Sequence, residues 1–145
     1  MTMLQQGAPM QDRIHHINFI VRDLDAAVSA WELVLGMPVS ARDHLHGRGV
    51  DIARFRLGAA WLVLVQPVRS GTAPARYLEE HGEGFFLISF GVDSLDAELE
   101  RLGEDWFDGP VRKGLDDWEI RDLDMARTLG ALVQFTQTRS GYKAS

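Results

Sequence analysis

HINFIVRDLDAA, His16 to Ala27, returns further along the chain as LISFGVDSLDAE, Leu87 to Glu98, a shift of 71 residues (87 − 16). Ile17 lies over Ile88, Phe19 over Phe90, Val21 over Val92, and Leu24-Asp25-Ala26 over Leu95-Asp96-Ala97. The same shift carries WLVLVQ, Trp61 to Gln66, onto LVQFTQ, Leu132 to Gln137. One offset fitting two separated segments marks a duplicated module. Each copy reads as β-strand, capped helix, then further strands. The fold expected is therefore α+β: two βαβββ modules, about 14–67 and 83–138, forming a cupped mixed sheet around a shared cavity.

Within the first copy, Ile14 to Val21 is a β-rich run. Asp23 caps a helix over Leu24 to Leu35, which closes at Gly36, with Val28, Trp31 and Leu35 on its core-facing stripe. Ser94 is the matching cap for a helix from Leu95 to about Leu102. An edge strand is expected between Met37 and Gly49. Asp51 to Leu57 and Ala60 to Val65 read as a hairpin around Gly58-Ala59. Pro67 to Pro74 links the modules, and a short helix follows at Ala75 to His81. Trp118 to Leu123 and Ala131 to Thr138 form the closing hairpin. Residues 1–13 read as a loose N-terminal arm and 139–145 as a frayed tail around the single domain, 14–138.

The chain of 145 residues is of ordinary length for one domain with a real core. A net charge of −6, with no Lys/Arg stripe, argues against a nucleic-acid surface. The absence of cysteine rules out disulfides, thiol nucleophiles and thiolate ligands, and allows a reducing compartment. No apolar run reaches membrane-spanning length, and residues 1–12 lack the apolar core of a signal peptide. The expectation is a cytoplasmic protein without membrane or nucleic-acid partners.

Alternation along a strand sets which side chains share a face. Ile17, Phe19 and Val21 are uniformly apolar and should meet the helix, leaving His16 and Asn18 on the other face. By the repeat, Leu87 and Ser89 sit where His16 and Asn18 do, and Gln134 where Val63 does. A turn at Gly58-Ala59 sets Arg54 across from Val63 and Arg56 across from Trp61, a pair of guanidinium groups able to grip a carboxylate or phosphate. Bland readings stand beside these. His15 reads as a surface residue, Arg54 and Arg56 as solvated strand residues, and His44 and His46 as a solvent-facing loop. His81 stabilises the end of its helix. Glu79, Glu80 and Glu83 form a solvated face, and Asp122 and Asp124 lie in a turn. Trp61, Trp106 and Trp118 read as core or rim aromatics, with a pocket lid as a second reading for Trp118.

IHHINFIVRDLDAAVSAWELVLGM, ARYLEEHGEGFFLISFGVDSLDAELERL and LGALVQF together resemble the vicinal oxygen chelate superfamily, the group of glyoxalases, epimerases, extradiol dioxygenases and bleomycin-binding proteins. The HGEG turn before the second opening strand is similar to the methylmalonyl-CoA epimerase branch. The resemblance covers roughly Ile14 to Gln137. It implies a homodimer and one metal ligand on each of four strands, at positions that fall on His16, Val63, Leu87 and Gln134. Val63 and Leu87 cannot ligate, and Gln134 offers a neutral amide oxygen where the family usually has Glu. No cofactor is therefore expected; a divalent metal, if bound, would rest on His16 and Gln134.

Three functions follow from the resemblance. The first is an epimerase-like isomerase or lyase acting on a small anionic or acyl-thioester metabolite, with His16 and Gln134 as catalytic residues. Asn18, Arg54, Arg56, Trp61, Val63, Leu87, Ser89 and Trp118 would then bind substrate, and Arg54 or His16 would serve as the electrophile. The second is a non-catalytic binding protein of the bleomycin-resistance type, suited by the apolar Val63 and Leu87. The third is a metal-dependent enzyme with ligands recruited from His44, His46 or acidic loop residues.

Overall fold

The computed structural model describes residues 11–138. They form eight strands and three α-helices: β1 (Ile14–Ile20), α1 (Leu24–Leu35), β2 (Ala41–Leu45), β3 (Val50–Leu57), β4 (Ala60–Pro67), α2 (Ala73–His81), β5 (Gly84–Gly91), α3 (Leu95–Leu102), β6 (Phe107–Lys113), β7 (Trp118–Leu123) and β8 (Val133–Thr138). No α-helix among the described residues is long and apolar enough to cross a membrane. The chain packs as two compact units, His16–Phe86 and, among the described residues, 11–15 with 87–138.

In the His16–Phe86 unit the strand order is β2-β3-β4-β1. β2, β3 and β4 are an antiparallel meander, and β1 pairs parallel to β4. The hairpin register is the expected one: Arg54 opposite Val63, Arg56 opposite Trp61, and Leu57 opposite Ala60. One face carries the core, where α1 lays Leu24 and Val28 against Ala53, Phe55, Leu62 and Leu64, with Phe19, Trp31 and Leu35 packed around them. Asp23 caps α1 by accepting from the Ala26 N–H, and Gly36 ends it in the left-handed conformation at φ 67°, its N–H donating to Glu32 O.

The second unit repeats this plan. β6, β7 and β8 form the antiparallel meander and β5 pairs parallel to β8. Val92, Leu95, Phe107 and Phe135 form its core with Phe90, Leu99 and Leu102. Ser94 caps α3 through the Ala97 N–H. A further device repeats at the same offset. Gln66 Oε1 accepts from the Leu24 N–H and Gln137 Oε1 from the Leu95 N–H, each at 2.7 Å. The last strand of each module thus satisfies a donor that the first turn of its helix leaves open. Gln137→Leu is expected to lower stability by about 1 kcal/mol, read from urea denaturation. An unchanged midpoint would show that the Leu95 N–H does not depend on this bond.

Several expectations need correction. α2 begins at Ala73 rather than Ala75, because Thr72 supplies the cap and Pro74 fits the first turn. β6 is implied by the βαβββ plan but was given no position: its Gly109-Pro110 step reads as a breaker, yet β6 lies at the end of the strand order, where a missing N–H is tolerated. The arm and tail readings fall mostly on residues outside those described. Arg13, which is described, donates to Asp93 Oδ1 at 2.9 Å, so the arm is pinned where it meets β1.

Candidate functional site

Within each unit the face turned away from the core helix, the distal face, carries the polar side chains. Seven polar or charged residues are buried among those described: His15, His16, Arg54, Ser89, Glu98, Gln134 and Thr136. His16 and Arg54 lie on the distal face of the first unit, and Ser89, Gln134 and Thr136 on that of the second. Buried polar groups are costly unless something pairs with them, and five of the seven collect on these two distal faces.

In the first unit the rows follow from register. His16, Trp61 and Arg56 are neighbours across β1, β4 and β3, and Asn18, Val63 and Arg54 form the next row. Arg54 is 6% exposed, so its reading as a solvated strand residue is overturned. Its guanidinium carbon lies 4.5 Å from the Trp61 ring centre, and Nη2 lies 3.6 Å from the Asp43 carboxylate. Arg56 stays exposed, over the same indole at 4.8 Å, with Nε donating to Gly58 O. Trp61 therefore gathers two cations by its π face. Asn18 Oδ1 is a buried acceptor with no donor among the described residues. Asp43 was not singled out in the sequence. Only the register of β2 on β3 brings it next to Arg54.

In the second unit Ser89, Gln134 and Asp122 form a row across β5, β8 and β7. Asp122 is thus a strand residue, not a turn residue. Asp124 does lie in the turn, its Oδ1 accepting from the Ala126 N–H. The Asp122 carboxylate receives Arg112 Nη2 at 2.9 Å and Gln134 Nε2 at 3.0 Å. Arg112 reaches this row through a register shift: Asp108 faces Asp122, but Arg112 rather than Pro110 faces Ile120. Ser89 and Thr136 hydroxyls are bonded to each other at 2.6 Å. Leu87 is buried, and Trp118 is 5% exposed, which removes the lid reading. The ring of His15 meets Trp118 edge-on at 4.4 Å, and His15 is buried, which overturns its surface reading. The tertiary packing of an aromatic partner from β7 outweighs the polarity of the imidazole.

The four positions that the resemblance assigns to a metal fit one poorly. Val63 and Leu87 carry no donor atom, and the Gln134 amide nitrogen is committed to Asp122. His44 and His46 lie together, ring centres 4.1 Å apart, but on exposed residues where His44 also bonds Asp51. Among the described residues no group of three or more His, Asp or Glu is placed to hold an ion. The side chains at the four positions do not fit a divalent metal. Elsewhere, His81 stacks on Tyr77 at 4.2 Å in the last turn of α2, and Glu83 accepts from the Arg22 N–H at 2.8 Å rather than serving as a purely solvated residue.

Comparison with known proteins agrees with this architecture. Residues 15–121 match the family model described as Glyoxalase/Bleomycin resistance protein/Dioxygenase superfamily. The Bacillus subtilis (strain 168) protein YqjC, itself uncharacterized, is 26% identical over 131 residues, 88% of this chain and 94% of that one. An ethylmalonyl-CoA/methylmalonyl-CoA epimerase of Cereibacter sphaeroides is 29% identical over 96 residues, 66% of this chain and 72% of the enzyme. Among solved structures, a variant of the Streptomyces coelicolor methylmalonyl-CoA epimerase in complex with 2-nitronate-propionyl-CoA aligns with a TM-score of 0.82 at 25% identity, covering 92% of this chain and 99% of that one. With a family model matched over well more than half its length, the chain belongs to the glyoxalase/bleomycin resistance protein/dioxygenase superfamily.

Proposed function

We propose that this protein is an epimerase-like member of its superfamily that acts on an acyl thioester, using the polar distal face of its first module. The observation that carries this reading is the burial of Arg54 and His16 on adjacent rows of one sheet face. The named epimerases among its relatives supply the chemical class. Epimerisation breaks the C–H bond next to the thioester carbonyl, moves the electron pair onto the carbonyl oxygen, and returns a proton to the opposite side of the carbon. A buried guanidinium favours the oxyanion where it develops. A neutral imidazole is suited to taking the proton near neutral pH, and a proton from solvent is delivered to the opposite face of the planar carbon. Asn18, Trp61 and Val63 would line the acyl group. A homodimer and a cytoplasmic setting belong to the same reading.

The test is hydrogen exchange at C2 of methylmalonyl-CoA in deuterated water, run with chelator present. Exchange with racemisation is expected, and it should be lost in His16→Ala while the fold is retained. A second reading is favoured by the buried, apolar Val63 and Leu87: a binding protein that holds the ester without turnover. Tight binding of 2-nitronate-propionyl-CoA without any exchange would establish that alternative. Neither exchange nor binding would overturn both.

A further inference from the structure

His44 and His46 stand at the β2–β3 corner of the first unit, His44 on the end strand β2 and His46 in the turn that follows it. Both are exposed. His44 Nε2 lies 3.2 Å from His46 Nδ1, and the two rings meet edge-on. The other end of the His44 ring is taken, Nδ1 bonding the carboxylate of Asp51, its partner across β3. A carboxylate only accepts, so Nδ1 carries the hydrogen and Nε2 of the neutral ring keeps its lone pair on the His46 side. Asp51 thereby fixes both the tautomer and the setting of the His44 ring, as the carboxylate behind a metal-binding histidine does. His46 is held through its backbone. The Gly49 N–H donates to Leu45 O at 2.9 Å and to His46 O at 3.2 Å, and Arg69 Nη1 donates to His46 O at 3.0 Å.

The fold itself does not call for this pair. Neither ring belongs to the core of the unit, and β6, the end strand of the second unit, carries no histidine. The spacing suits a shared ion. Two nitrogens 3.2 Å apart, each about 2.0–2.1 Å from one ion, subtend about 100° at it, between the octahedral and tetrahedral angles. A turn of the exposed His46 ring exchanges the hydrogen the rings share for that ion. Imidazole nitrogen suits zinc and nickel, whereas calcium and magnesium want oxygens, and the pair supplies none.

We propose that His44 Nε2 and His46 Nδ1 chelate a late first-row divalent ion of the zinc and nickel class, with Asp51 as a positioning residue. Water or a further donor fills the remaining coordination positions. The site is separate from the acyl-thioester reading and no catalytic step is assigned to it. Asp43, next to His44 on β2, meets Arg54 on the distal face, so by alternation His44 lies on the opposite one.

Calorimetric titration of the full, tag-free chain with zinc chloride, and separately with nickel chloride, tests the assignment. One ion per chain is expected. His44→Ala and His46→Ala should each weaken binding about a hundredfold, since a single imidazole loses the advantage of a second ligand already in place. Asp51→Asn should weaken it about tenfold. His81→Ala, at the end of α2, should change nothing. His44 and Asp51 are half-exposed and His46 is exposed, so the variants are expected to fold. In the wild type, nickel should broaden the ring-proton resonances of His44 and His46 before those of His81, a readout that needs no variant. No saturable binding of either ion overturns the proposal, and so does binding that His44→Ala and His46→Ala leave unchanged. Undiminished affinity in Asp51→Asn overturns the positioning role.

Discussion

Phe55→Ala should lower the stability of the protein by about 4 kcal/mol, the largest effect expected of any single change considered. Phe55 is 0% exposed and packs with Leu62, Leu64 and Val28 between β3, β4 and α1. Removing the ring strips that cluster of its largest member and leaves a cavity that the surrounding strands cannot close. Small domains are stable by only about 5–15 kcal/mol, so the variant should stand near the edge of folding. Urea denaturation measures the loss. A cost below that of an ordinary surface substitution would mean that Phe55 is not in the core and that the face assignment of β3 is inverted. Since Arg54 and Arg56 flank Phe55, that result would also remove the basis for placing Arg54 at the site.

Arg54→Met should weaken binding of 2-nitronate-propionyl-CoA about thirtyfold, the worth of a charge-assisted hydrogen bond from a buried guanidinium. Propionyl-CoA, which lacks the nitronate charge, should lose far less. The thioether chain fills most of the volume and keeps contact with Trp61, so the fold is expected to survive. Asp43, 3.6 Å from the guanidinium, would be left without its cation, but it is exposed and solvent screens it. Equal losses for the two esters would show that Arg54 packs against Trp61 without meeting the ligand's charge. Arg54→Lys should recover only part of the affinity, since an ammonium cannot present two parallel donors.

The repeat makes much of this structure legible from the sequence. Paired caps at Asp23 and Ser94, the hairpin register that sets Arg54 against Val63, and the apolar face of β1 are all local matters of spacing and alternation. The face rule likewise put His16, Asn18, Ser89 and Gln134 on the side away from the helices. β6 was hidden because Gly109-Pro110 signals a break, whereas an edge strand with a register shift tolerates both residues. Asp122 looked like a turn residue because its composition is that of a turn. Only the alternation of Trp118, Ile120 and Asp122 along β7 puts it on the distal face, beside Gln134.

Sequence alone determined the family, the two-module plan and which side chains share a face with His16. These follow from short-range periodicity, which is a property of the backbone itself. Tertiary structure alone decided what those side chains touch. It buried His15 against Trp118, set Arg54 between Trp61 and Asp43, and tied Gln134 to Asp122 and Arg112. Each of these contacts joins residues on different strands, so its geometry depends on pairing and twist that no local pattern records. The direction in which the Gln134 amide points is set by a carboxylate 12 residues away in the chain, itself held by an arginine on an edge strand.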